Sequence, residues 1–153
     1  MNSAELNGIL NKSLTWQSFN KEDVKNAPSL KGIYVIRMAK GQLFGRLSGV
    51  SDMLYIGSAE SKGGLRQRLQ QYFHPGQTQW TNLRIKELTK KYQMEIAWYP
   101  CEEPKNLEHE LLRHYFEEHD ELPPLNHASI RRLYKCVTDN IRADDEVVVI
   151  KKP

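Results

Sequence analysis

Apolar residues fall along this chain in short runs whose spacing predicts most of its elements. Gly32 to Met38 (GIYVIRM) and Met53 to Ser58 (MLYIGS) are rich in β-branched and aromatic residues, and Met94 to Tyr99 (MEIAWY) alternates. Such runs predict strands. The polar stretch Ala39 to Asp52 carries Gly41, Gly45 and Gly49. It predicts an antiparallel pair whose connection forms a small hairpin of its own, with Lys40 and Arg46 near its ends. Helical spacing marks residues 4–19, with Leu6, Ile9, Leu10 and Leu14 on one face. It also marks 65–74, stopped by Pro75-Gly76, and 81–92, capped by Thr81 or Asn82. A fourth helix covers 107–119 and cannot continue through Pro123-Pro124. A short helical stretch around Arg131 to Tyr134 and a strand, Glu146 to Ile150, close the chain. The expected fold is α+β: a small central, mainly antiparallel three-stranded sheet flanked by helices, with a helical N-terminal and a strand-bearing C-terminal extension. One domain spans 1–153, with its core at about 29–126 between extensions 1–28 and 127–153.

Two charged residues disturb this pattern. At about 100° per residue, Leu107, Leu111, Leu112, Tyr115 and Phe116 form one apolar arc with Glu108 near its middle, while Glu110, Arg113 and Glu117 lie opposite. An unpaired carboxylate costs several kcal/mol to bury, so Glu108 is expected either to pair with a core arginine or to hold a cation. In the helix 65–74, Leu65, Leu69, Tyr72 and Phe73 make the stripe and Arg68 lies at its edge. Arg68, Glu108 and the strand tyrosines Tyr34 and Tyr55 are expected to face one cleft, a combination suited to a metal ion and a phosphate. The N–H groups at the start of that helix are a further expected anion site.

Composition narrows the classes without choosing among them. The two cysteines, Cys101 and Cys136, are widely spaced, which argues against a disulfide framework or a four-cysteine zinc site. With no apolar run long enough to span a membrane and no secretory leader pattern in the first 20 residues, a cytoplasmic protein is expected. A net charge of +3 permits nucleic-acid contact without requiring it. His109-Glu110 and His114 imitate a zinc-protease motif, but five positions turn a helix by about 140°, so the imidazoles do not share a face. His74, His119 and His127 read as surface residues.

Taken in order, these residues resemble the GIY-YIG nuclease family. Its namesake tripeptides stand as Gly32-Ile33-Tyr34 and Tyr55-Ile56-Gly57, its helical arginine and following tyrosine as Arg68 and Tyr72, its helical glutamate as Glu108, and its proline-then-asparagine as Pro124 and Asn126. The match runs from about Ser29 to Asn126. The lysine some members carry after the second tripeptide is Ser58 here, with Lys62 a substitute.

The resemblance implies a metal-dependent DNA endonuclease. It implies Mg²⁺ (or Mn²⁺) on Glu108, Arg68 on the scissile phosphate, and a tyrosine taking the proton from water, Tyr34 first and Tyr55 second. Tyr72 would orient water or phosphate and Asn126 would brace the site. A phenol with pKa about 10 acting near pH 7 faces a deficit of about 4 kcal/mol, which a nearby cation must offset. Lys62, Arg66, Arg84, Lys86, Lys90 and Lys91 are the candidate nucleic-acid contacts, with Lys40 and Arg46 as a second set. Two other readings stand beside this one: a nucleic-acid-binding module that kept the fold and lost the chemistry, and an interaction protein using the Trp80 to Tyr99 surface.

Overall fold

The computed structural model describes residues 3–11, 14–76 and 79–128. Strands β1 (Gln17–Ser18), β2 (Gly32–Met38), β5 (Met53–Ala59) and β6 (Met94–Pro100) form one antiparallel sheet in the order β1-β6-β2-β5. Strands β3 (Phe44–Gly45) and β4 (Val50–Ser51) form the small hairpin expected between β2 and β5. The helices are α1 (Ser3–Asn11), α2 (Gly64–Gln70), α3 (Trp80–Thr89) and α4 (Pro104–His119), with a 3₁₀ turn at Asp23–Asn26. The three expected strands are therefore joined by a fourth, β1. Residues 14–16, expected within an N-terminal helix, are not helical and lead into β1, and Trp16 lies under the Arg37 guanidinium, 3.8 Å from Cζ to the ring centre.

Strand β2 has neighbours on both edges and cover on both faces, which explains why its sequence is almost continuously apolar. Successive side chains point to opposite faces. Ile33 and Val35 pack with Ile56 and with Leu6 and Ile9 of α1 and Leu107, Leu111 and Leu112 of α4. Tyr34 and Ile36 pack with Leu65 and Leu69 of α2 and Ile85 of α3. The molecule is thus an α+β sandwich of helices, sheet and helices.

Pro104 opens α4, three residues before its expected start, as suits a residue with no N–H to leave unpaired. Asp120, at φ 59°, ends it in the left-handed region, ahead of the two prolines. Gly64, at φ +61°, opens α2 against Leu30, whose backbone oxygen would lie 2.5 Å from an added Cβ. The first N–H groups of α2 are already taken, Leu65 donating to Leu30 O at 2.9 Å and Arg66 to Pro28 O at 3.1 Å. The expected anion site at that helix start is absent for this reason.

Two other expectations are corrected. His119 is buried, not superficial: its Nδ1 lies 2.8 Å from Ser48 O, and its own carbonyl accepts from Ser48 N, so it anchors the β3–β4 hairpin to α4. Arg46 is not a free cation for nucleic acid. Its side chain is 12% exposed and is paired with Glu121 while donating to Leu122 O. The stretches 131–134 and 146–150, expected as helix and strand, lie outside the described residues. No helix among the described residues is long and apolar enough to cross a membrane.

Gly57 faces Tyr34 across the β2–β5 pair, and a Cβ on it would lie 2.5 Å from Tyr34 Cζ and 2.7 Å from Tyr55 Cε1. Gly57→Ala is therefore expected to cost about 1–3 kcal/mol of stability. Gly45→Ala, with nothing within 4 Å of the new methyl, is expected to stay within about 0.5 kcal/mol. Urea unfolding midpoints of the two variants check the difference.

Candidate active site

The pairing of β2 with β5 sets Tyr34 opposite Gly57 and Ile36 opposite Tyr55, so both phenols project from the face that α2 covers. Tyr72, in the turn after α2, completes a cluster. Ring centres are 6.0 Å apart for Tyr34–Tyr55, 6.0 Å for Tyr34–Tyr72 and 6.5 Å for Tyr55–Tyr72. The Tyr34 and Tyr72 hydroxyls share a hydrogen bond of 2.6 Å.

Arg68, four residues before Tyr72, lies over that ring with Cζ 4.7 Å from its centre and donates to its hydroxyl at 3.3 Å. Nη1 and Nη2 both donate to Asn82 Oδ1 at 3.3 Å, and Asn82 donates in turn to Gln79 Oε1 at 3.1 Å. Helix α3 thereby fixes the guanidinium. Burial alone would weaken the cation, but the phenols of Tyr34, Tyr72 and Tyr55 around it outweigh that and raise its pKa. Burial, reinforced by the neighbouring Tyr55, pushes the Tyr34 hydroxyl far above the ordinary phenol range, with Arg68 acting the other way. Tyr72 is raised by burial and by Tyr34 and Tyr55, again with Arg68 acting the other way. Tyr34 and Tyr72 are both fully buried. Tyr55 is only partly buried and is the phenol that reaches an open cavity.

Glu108 approaches from the other layer. It sits on α4, whose leucines pack on the opposite face of the sheet, and its side chain is 13% exposed. Its Oε2 accepts from Ser58 Oγ, and Lys105 Nζ stands 4.0 Å away. Among the described residues no arginine pairs with it, so the expected alternative of a core arginine partner does not hold there. The chain after α4 turns back along the free edge of β5. Leu125 N donates to Leu54 O at 3.1 Å, and the Asn126 amide both donates to Ile56 O at 2.8 Å and accepts from Ile56 N at 3.0 Å. A cavity of about 220 Å³ opens at this edge, lined by Tyr55, Thr81, Lys105, Glu108, His109 and Asn126 among others. The expected residues thus divide into two groups. Tyr34, Tyr55, Tyr72 and Arg68 interlock on one face, Glu108 and Asn126 stand at the β5 edge, and Tyr55 belongs to both. Glu108 is close enough to Tyr34 that its charge adds to the upward push on that phenol.

Residues that the sequence reading missed complete the arrangement. Asn82, expected as a possible helix cap, is buried within α3 and holds Arg68. It lies about one turn before Ile85 on the core-facing side, the same misplacement of a polar residue that exposed Glu108. Lys105 carried no signal of its own, and Thr81, expected as a possible helix cap, lies within α3 and lines the cavity. Of the expected nucleic-acid contacts, Arg84, Lys91 and Lys62 are exposed, Lys62 in a separate groove of about 510 Å³ shared with Lys31 and Ser61. Arg66 is exposed but donates through Nε to Ala27 O at 2.8 Å. Lys86 is half-buried, and Lys90 is paired with Glu87 at 2.8 Å. Lys40 is exposed at the start of the hairpin segment, at φ 57°.

Compared with protein-family models, with curated proteins and with solved structures, the chain matches none. The donor set itself bears on metal binding. Among the described residues no three His, Cys, Asp or Glu side chains converge on a metal position. What exists is one carboxylate, largely shielded, held by the Ser58 hydroxyl, with the exposed Lys105 ammonium 4.0 Å away, and bordering a polar cavity. That set fits a hard divalent cation that keeps most of its water, such as Mg²⁺, and does not fit zinc.

Phenols kept neutral by burial tie stability to pH. Above about pH 10 the unfolded chain releases these protons while the folded chain retains them, so the folded state binds more protons and stability falls as pH rises. The contribution is complete below about pH 10 and is lost progressively above it, at about 1.4 kcal/mol per pH unit for each phenol. Tyr34→Phe is expected to make the alkaline loss shallower by about that amount per unit. Urea unfolding from about pH 9 to about pH 11 measures it, and an unchanged slope would mean that Tyr34 ionises freely in the folded protein.

Proposed function

We propose that this chain is a metal-dependent DNA endonuclease of the GIY-YIG type, hydrolysing phosphodiester bonds at the β5 edge. The observation that carries the reading is the geometry around β5: a fixed arginine cation and three interlocked phenols on one side, a shielded carboxylate on the other, and Tyr55 and Asn126 between them at one cavity. The antiparallel core with helices on both faces accords with the fold that the ordered motifs imply. A cytoplasmic setting fits the two widely separated cysteines.

Phosphodiester hydrolysis requires an activated water, neutralisation of charge on the phosphate and help for the leaving oxygen. Glu108 would hold Mg²⁺ or Mn²⁺, which when bound supplies charge neutralisation and makes its water more acidic. Arg68 offers the phosphate a planar pair of donors, and Asn82 holds that fork so that little reorganisation is needed as charge develops. Tyr55 is the phenol with access to the cavity and, as its phenolate beside the Arg68 cation, would take the proton from water. Tyr34, sealed and neutral, serves instead to hold Tyr72 by their mutual hydrogen bond, and Tyr72 presents its hydroxyl beside Arg68. Asn126, which clamps Ile56 on both backbone groups, keeps Tyr55 and Gly57 in register. The choice of Tyr55 over Tyr34 as proton acceptor follows from burial.

The same burial favours the second reading, a binding module that kept the fold without the chemistry, because it closes two of the three phenols to substrate. Cleavage of plasmid, forked and single-stranded DNA in Mg²⁺ or EDTA separates the two. The expected result is cleavage that EDTA abolishes and that Glu108→Ala and Arg68→Lys each reduce by about 10²-fold or more, with unchanged circular dichroism. If wild type and Glu108→Ala behave alike, the binding module is the correct reading.

A further inference from the structure

Trp80 is 78% exposed, more than any other large apolar side chain among the described residues. A single exposed aromatic is ordinary on a protein surface, so its place in the fold decides its meaning. It is the first residue of α3, and the two residues after it belong to the candidate site: Thr81 lines the β5-edge cavity and Asn82 holds the Arg68 guanidinium. At about 100° per residue, Trp80 and Arg84 share the outer side of α3, opposite the buried Asn82 and Ile85, with Arg84 turned toward the side that carries Thr81. Arg84 is exposed and is not in an ion pair among the described residues, and the exposed Lys105 stands at the cavity itself.

A strand leaving the cavity past Thr81 would therefore meet a cation and then an open indole. That sequence of groups suits a polyanion carrying flat apolar rings, and an indole offers a base a stacking face only if the base is out of its duplex. We infer that Trp80 stacks an unpaired nucleobase next to the scissile phosphate, so that the substrate is nucleic acid with single-stranded character at the cut, such as a flap, fork or bulge. This rests on the nuclease reading above and adds the substrate class. Duplex contact needs only phosphate-directed cations, and an indole gives it nothing. Stacking on one aromatic contributes enough that its removal weakens binding roughly 5- to 150-fold.

The test is anisotropy binding in EDTA, with cleavage in Mg²⁺ measured in parallel, on a flap substrate, the same flap with abasic sites in its unpaired arm, and a fully paired duplex. Trp80→Ala is expected to lose roughly 5- to 150-fold on the flap and little on the duplex or the abasic flap, and Trp80→Phe is expected to restore most of the loss. The ring is exposed, so neither variant should disturb folding. If wild type binds and cleaves while Trp80→Ala matches it on the flap, or loses equally on all three, the stacking role is overturned and the nuclease reading stands. If wild type binds none of the substrates at low salt, both fall.

Discussion

The structure depends on the contact between Tyr34 and Gly57 across the β2–β5 pair. A side chain on residue 57 would occupy the space of the phenol, and without that phenol lying flat on the strand Tyr72 would have no hydroxyl to meet. Register follows from the same contact. A slip of one residue would send Tyr34 and Tyr55 to the α4 side and Ile33, Val35 and Ile56 to the α2 side, exchanging the contents of two cores that are both filled. The pairing that positions the candidate site is therefore the one that packing already enforces, and the site adds little conflict to the fold.

That agreement explains why the sheet was legible in the sequence. Runs that must be apolar on both faces, such as Gly32 to Met38, carry their boundaries in composition, and the strand β2 ends where the run does. Helices were less legible at their ends. Leu14 keeps the apolar spacing of α1 and is buried, yet it lies beyond the helix, because a buried residue marks contact with the core and not the conformation that brings it there. Strand β1 has only two residues and pairs through its backbone with Glu95 and Ile96, leaving almost no side-chain pattern to read.

The site was legible where a polar residue broke an apolar face, as with Glu108, and illegible where the partner came from far along the chain. Arg46 and His119 show the limit. Both look solvent-directed in sequence, and both are enclosed because the β3–β4 hairpin folds down onto the end of α4, a contact no local pattern encodes. Asn82 lies between these cases. Its place on the core side of α3 was visible, but its partner Arg68 is on another helix, and the capping preference of asparagine offered a simpler local account.

An edge strand is an economical place for such a site. Among the described residues, strand β5 has β2 on one side and, on the other, the returning segment at Leu125 and Asn126, which satisfies Ile56 through a side-chain amide and Leu54 through one backbone bond. A central strand would separate its two faces completely, and groups from α3 and α4, such as Thr81 and Glu108, would never share a cavity. At an edge the faces meet. Tyr55 from one and Glu108 from the other can line the same opening because the sheet ends between them, and because the amide that covers the edge is small. The polar groups of that edge are met by the Asn126 amide at Ile56 and the Leu125 N–H at Leu54. Among the described residues, a small amide in place of a full strand leaves the cavity open beside Tyr55 and Glu108.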